Sequence, residues 1–232
     1  MATECLPMAR GKVIRLTRLD SCGAPVEGTT STLVSKSFVS VTNTPNYQDP
    51  EEVTQLDANG DICVEDQANP AFRWIDLSIV LCTTDPFFVN IVTGDPLVVD
   101  DATPTPNTVG WRIDADLTGT ANFAMEVWSG SPGQACTGGF AKYGYWLYPW
   151  ITQARWGEWV IQNGVLTTTF TARTAAGGSW GVGPYNIRRD ATVPATLEPL
   201  LTPIGASQHL HFQTTTLEYP TATCGAAELV IP

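Results

Sequence analysis

The chain reads as an all-β protein: mainly β, with one short helix and long loops. Three observations predict this. Short stretches of alternating apolar and polar residues recur along the sequence. Turn formers and aromatics are abundant, with 20 Gly, 17 Pro and 8 Trp. Strands do not alternate with long helical patterns, so a parallel α/β sheet is not expected. The 232 residues suit one all-β domain or two small ones and are long enough to bury a sizeable core, and a hydrophobic content of 43% excludes a disordered chain.

KVIRLTRLD (residues 12–20) begins the fold as a strand, and TLVSKSFVSVT (32–42) is β-branched and ends at Asn43. Residues 43–69 are polar, acidic and turn-rich, and predict a long excursion with a hairpin around ANGDICV. In FRWIDLSIVL, Ile75, Leu77, Ile79 and Leu81 share one face. TTDPFFVNIVTG predicts the helix, with Thr84 or Asp85 as N-cap, Pro86 in the first turn and Gly94 as the stop. Residues 93–108 and 129–144 read as loops. Between them, WRIDADLTGTANFAMEVW alternates on both sides of Gly119 and predicts an antiparallel hairpin. Its wet face would carry Asp114, Asp116 and Glu126. YGYWLYPW and RWGEWVI are aromatic strands, with Pro149 ending the first or placing it at an edge. VLTTTFTAR puts Leu166, Thr168, Phe170 and Ala172 on one face, and SQHLHFQTTT is a late strand.

A net charge of −11 argues against phosphate-backbone binding, which needs clustered Lys and Arg. Residues 37–111 hold twelve Asp or Glu and one basic residue, Arg73. MATECLPMARGKVIRL lacks the apolar run of a secretory leader, and no segment is long enough to span a bilayer. Six dispersed cysteines without a C-x-x-C pair then fit free thiols in a reducing compartment.

GGSWG (177–181) matches Gly-x-Ser-x-Gly, with Asp190, His209 and His211 downstream, in the serine–acid–histidine order of many hydrolases. A nucleophile elbow needs a helix after the serine, and Gly181, Gly183 and Pro184 break one. The segment therefore reads as a sharp corner, with Trp180 and Tyr185 as plugs. GVGPYN lacks the last Gly of a dinucleotide fingerprint. Asp57, Asn59 and Asp61 begin like a calcium loop, but Ile62 and Ala68 stand where Gly and Glu are required. His209 and His211, two apart on a strand, offer half a metal site. Trp146, Trp150, Trp156 and Trp159 fit packing or a subunit interface better than a carbohydrate platform. No cofactor or metal is expected.

Several stretches together resemble the major tail tube proteins of long-tailed phages, particularly those of actinobacteria. They are LDSCGAPVEG, FVSV, VTQLDANGDICVED, FRWIDLSIVLCTTDPFFVNIVTG and WVIQNGVLTTTFTARTAAGGSWGVGPY, in order over roughly residues 15–190. The resemblance implies one tail tube domain over residues 1–232, a β-sandwich or barrel with a flanking helix. It also implies hexameric rings, joined edge to edge and stacked into a tube. The acidic loop near 43–69 is then a candidate for contacts between rings. Residues 191–232 would supply a strand pair or an arm onto a neighbour.

The structural residues that stand out are Asp85, Pro86, Gly94, Trp180, Gly181, Gly183, Pro184 and Tyr185. Asp114, Asp116 and Glu126 are the candidates for charge facing the lumen. Expected partners are other copies of the chain, a tape measure protein, a tail terminator and distal tail proteins. DNA would pass without specific binding, no membrane is involved, and the protein would be assembled in the host cytoplasm and reside in the virion tail. The alternatives are a serine hydrolase using Ser179, and a capsid decoration or carbohydrate-binding module.

Overall fold

This computed structural model describes residues 8–117, 120–130, 141–161 and 163–231. Half of the chain is strand and 5% is helix, which makes the fold all-β. The elements are β1 (Ala9–Arg18), β2 (Gly28–Ser35), β3 (Phe38–Gln48), β4 (Glu52–Leu56), β5 (Ile62–Gln67), β6 (Ala71–Leu81) and α1 (Pro86–Thr93). After them come β7 (Leu97–Val99), β8 (Thr108–Trp111), β9 (Phe123–Gly130), β10 (Tyr143–Trp159) and β11 (Thr168–Thr174). The last are β12 (Arg188–Arg189), β13 (Leu197–Glu198), β14 (His211–Thr215) and β15 (Ala227–Leu229).

One nine-stranded sheet runs β15-β2-β1-β9-β10-β11-β6-β3, with β14 also on β10. The segment expected as one strand over 32–42 breaks at Lys36–Ser37. There the Ser35 hydroxyl accepts from the Ser37 amide at 3.1 Å, a local turn that competes with the ladder. β2 and β3 consequently lie far apart in the sheet.

β10 makes the sheet turn. Its first half pairs with β14, its second with β11. The two aromatic strands expected around Pro149 are thus one strand, and Pro149 is buried inside it. Pro149 sits in the register shift between Tyr148 and Ile151, after β14 has ended and before β11 begins. A proline is tolerated there because no neighbouring strand requires its missing N–H. Ile14 and Leu16 of β1, Met125 of β9, Phe170 of β11 and Leu77 and Ile79 of β6 share one core with Phe88, Val89, Ile91 and Val92 of α1. The face expected on Ile75, Leu77, Ile79 and Leu81 is the buried one.

The opposite face of β1, β9 and β10 is also covered. Val13, Ala124, Trp128, Tyr145 and Leu147 pack there against Trp180, Ile187, Leu200 and Ile204. The C-terminal segment thus lies over the sheet and adds β14 and β15 to it. This overturns the reading of Glu126 as a residue of a wet face: it is 1% exposed. The expected hairpin across residues 111–127 also does not form. β8 pairs with β7, β9 pairs with β1 and β10, and residues Ala115–Leu117 make a 3₁₀ turn. Two carboxylates stop the strand after Trp111. Asp95 accepts from the Asp114 amide at 3.0 Å, and Asp114 accepts from the Asp116 amide at 3.0 Å. Asp114 and Asp116 therefore lie on a turn.

Candidate functional site: the projecting hairpin and the free sheet edge

β3 and β6 pair over their full length, down to Gln48 opposite Ala71. Beyond that point the chain continues as a second hairpin, β4 with β5, from Glu52 opposite Gln67 to Leu56 opposite Ile62. Its turn is closed by Asp57, whose Oδ1 accepts from the amides of Asn59 at 2.8 Å and Asp61 at 2.9 Å. Gly60 completes the turn at φ 90°, and a side chain there would meet nothing within 4 Å. These residues form an Asx-closed hairpin turn.

Every residue of β4 and β5 is exposed. Val53, Leu56, Ile62 and Val64 are all about half exposed, between 50% and 58%. An isolated two-stranded hairpin is marginally stable and needs a further layer on its apolar side chains. The hairpin also carries charge of one sign: residues 49–66 contain seven Asp or Glu and no Lys or Arg.

β3, which leads into this hairpin, is the terminal strand of the large sheet and is mostly exposed. Its outer edge offers unpaired backbone groups, the usual template for strand addition. Pro45, within β3 and opposite Ile75, limits where a further strand could pair. Tyr47 and Phe72 cap the base of the hairpin edge to face at 5.6 Å, and Phe72 meets His209 at 5.0 Å.

The helix predicted from its caps forms as read. Asp85 is the N-cap and accepts from the Phe87 amide at 2.8 Å, Pro86 opens the first turn, and Gly94 closes the helix at φ 85°. The second Asp85 oxygen accepts from the Gly225 amide at 2.7 Å, tying the C-terminal segment to the helix. At the glycine-rich corner, Trp180 is buried in the outer core and the Tyr185 ring lies 6.5 Å from it, tilted by 44°. Gly181 and Gly183 have φ of 60° and 82°. At Gly183 a Cβ would stand 2.7 Å from Trp180 Nε1, so both the conformation and the space demand glycine. Pro184 follows within the same corner.

The groups of the hydrolase reading are each committed elsewhere. Exposed Ser179 donates to the Cys22 carbonyl at 3.4 Å. Asp190 is bound by the Thr196 hydroxyl and amide and by the Thr192 hydroxyl, which hold its carboxyl down to about 2. His209 pairs with Thr174 at 2.8 Å, and burial lowers its pKa. His211 bonds Gln213 at 3.1 Å. Two positions apart on a strand, His209 and His211 would share one face, with Leu210 and Phe212 on the other. Instead His209 is buried and Phe212 is 45% exposed, because β14 starts only at His211. Among the described residues, no group of three or more His, Cys, Asp and Glu could hold a metal ion. Cys22, Cys63, Cys82 and Cys224 are exposed free thiols. Among the described residues, no helix is long and apolar enough to cross a membrane.

Sequence reasoning missed one group altogether. Arg15 on β1 and Glu126 on β9 are directly opposite partners in the sheet, on the face that the C-terminal segment covers. Arg15 donates to both carboxylate oxygens, at 2.5 and 2.6 Å, and the Tyr145 hydroxyl donates to the same carboxylate at 2.6 Å. Burial pulls the Arg15 guanidinium down, but Glu126 more than restores it, leaving it above its ordinary value. Burial, and then Glu126, push the Tyr145 hydroxyl well above its own. The signal available in the sequence was two opposite charges at alternating positions, which is also the signature of a wet face.

No protein-family model matches this chain, and no curated protein matches it.

Proposed function

We propose that the chain is a structural subunit of a phage tail tube, assembling as stacked hexameric rings around the conduit through which DNA reaches the host. The observation that carries this reading is the β4–β5 hairpin. It is an arm whose apolar side chains are about half exposed and lie outside both hydrophobic cores, and it continues directly from the terminal strand of the large sheet. An exposed edge is an aggregation liability in a lone molecule and an assembly surface in a built one. A surface that meets a different surface on the next copy propagates without closing. The run of resembling stretches over residues 15–190 supports the same reading. The net charge of −11 suits a wall along which DNA slides without adhering. Tape measure, terminator and distal tail proteins would be the further partners, and the virion tail the location.

Negative-stain electron microscopy of the purified chain tests this. Rings of six or extended hollow tubes are expected. A chain that stays monomeric across the whole accessible concentration range, by light scattering and by microscopy, overturns the reading.

A further inference from the structure

On the outward face of β3, β6, β11 and β10 lies an open trough of about 520 Å³. Thr44, Asp76, Gln153, Arg155, Thr171 and Arg173 are among its lining residues. A register shift between Thr152 and Arg155 creates it. At that bulge Gln153 adopts a left-handed φ of 53°, so that Gln153 and Arg155 both face outward, on either side of buried Ala154. A non-glycine residue in that conformation is strained, and such residues concentrate at binding sites.

The trough is a basic island on an acidic chain. Arg155 is exposed and braced by the Thr171 hydroxyl at 3.3 Å. Arg173 lies 4.8 Å from the Trp74 ring, and Arg73 lies 4.2 Å from that ring. Among the described residues, none of the three arginines has a carboxylate within ion-pair distance. Asp76, the acid in the trough, instead accepts from Trp74 Nε1 at 3.1 Å. Two arginines thus line one trough of a chain of charge −11, with Arg73 at the Trp74 ring beside Asp76.

We propose that this trough is the receptor for the acidic hairpin tip of a second copy of the chain. The tip carries Asp57 and Asp61 on one turn. Asp57 is exposed and uses only Oδ1 to close that turn, so Oδ2 is not engaged in closing it. Two carboxylates on a tight turn match two guanidiniums in a shallow trough, and Arg forms its strongest pairs with carboxylates. The trough has the volume of an ordinary ligand pocket, enough for a turn. Tip and trough are different surfaces of one molecule, so each copy offers one of each and the contact repeats head to tail. This rests on the tube reading and names the acceptor within it.

The test uses the full-length chain in sedimentation velocity, over a concentration series at low and at high salt. Three samples are compared: the unaltered chain, a trough variant (Arg155→Glu with Arg173→Glu) and a tip variant (Asp57→Asn with Asp61→Lys). The asparagine preserves the turn-closing acceptor. Each variant alone is expected to associate at least tenfold more weakly than the unaltered chain. Mixed one to one, they are expected to associate again in alternation, because the unaltered tip of the trough variant meets the unaltered trough of the tip variant, and the altered tip meets the altered trough. Association should weaken with salt, as screening of exposed charges requires. Unchanged melting temperatures establish that both variants fold. If the unaltered chain forms rings or tubes and the trough variant forms them equally well, the trough proposal is overturned and the tube reading stands. If the unaltered chain stays monomeric and the mixed variants do not pair, both are overturned.

Discussion

Arg15 is held between Glu126 and Tyr185: its guanidinium reaches both oxygens of the carboxylate, and its central carbon lies 3.3 Å from the centroid of the tyrosine ring. Trp128 flanks it at 5.0 Å. This clamp joins three sheet strands to the C-terminal segment. Tyr185 is fixed in turn by the Thr17 and Thr32 hydroxyls at 2.9 and 3.0 Å. Removing one partner from a buried ion pair strands the other charge, at a cost of about 3–5 kcal/mol. Glu126→Gln is therefore expected to destabilise the chain by roughly that amount in urea unfolding. The triple change Arg15→Met, Glu126→Leu and Tyr145→Phe removes every member of the polar group and should recover most of the loss. A cost below about 1 kcal/mol for Glu126→Gln would refute the account.

The same cluster sets an alkaline limit. Burial raises the hydroxyl pKa of Tyr145, Tyr148 and Tyr185 above the ordinary 10.0. Above pH 10 the unfolded chain loses these protons while the folded one keeps them. Stability is thus complete below pH 10 and falls as pH rises toward the folded-state values. Each retained proton steepens the fall by about 1.4 kcal/mol per pH unit. Tyr145→Phe should flatten the slope of unfolding free energy against pH by about one such increment. An unchanged slope above pH 10 would show that Tyr145 ionises as freely folded as unfolded.

Asp85 has two tasks, one on each oxygen. Asp85→Ala removes the helix cap, worth about 1 kcal/mol, and the bond to Gly225, worth about another. A fall in melting temperature of several degrees is expected for a chain of this size. Amide hydrogen exchange separates the two tasks. The Gly225 amide should lose protection in Asp85→Ala, and a variant with unaltered protection at Gly225 would contradict the link between helix and C-terminal segment.

The hairpin is the part of the chain the body does not need. Replacing residues 49–69 with a short Gly-Asn turn between Gln48 and Pro70 should leave the melting temperature within about 2 °C, since β4 and β5 bury no side chain in the core. Self-association, measured by light scattering, should be lost. A large drop in melting temperature would instead make the hairpin part of the folding unit.

Local features were legible in the sequence because their causes are local. The helix between Asp85 and Gly94 follows from a capping carboxylate, a proline at the first turn and a glycine able to adopt positive φ. The inward face of β6 follows from a period of two. The turn at Asp57 follows from an aspartate two residues before the amide it captures. Pro149 misled because its meaning depends on which neighbour each half of β10 pairs with. WRIDADL misled because Asp95, nineteen residues earlier than Asp114, captures the backbone that would have extended the strand.

The sequence by itself determined which residues alternate, which turns close and where the helix starts and stops. Only the tertiary structure decided what lies over each face. The alternation in β9 is the same whether Glu126 meets water or Arg15, because a period of two separates two faces and is silent about their covers. The cover over Glu126 comes from residues 180–204, far along the chain, and no window of β9 contains them. The trough on the opposite half of the sheet has the same origin. Arg155 and Arg173 are distant in sequence and become neighbours through the pairing of β10 with β11 and a one-residue bulge at Gln153.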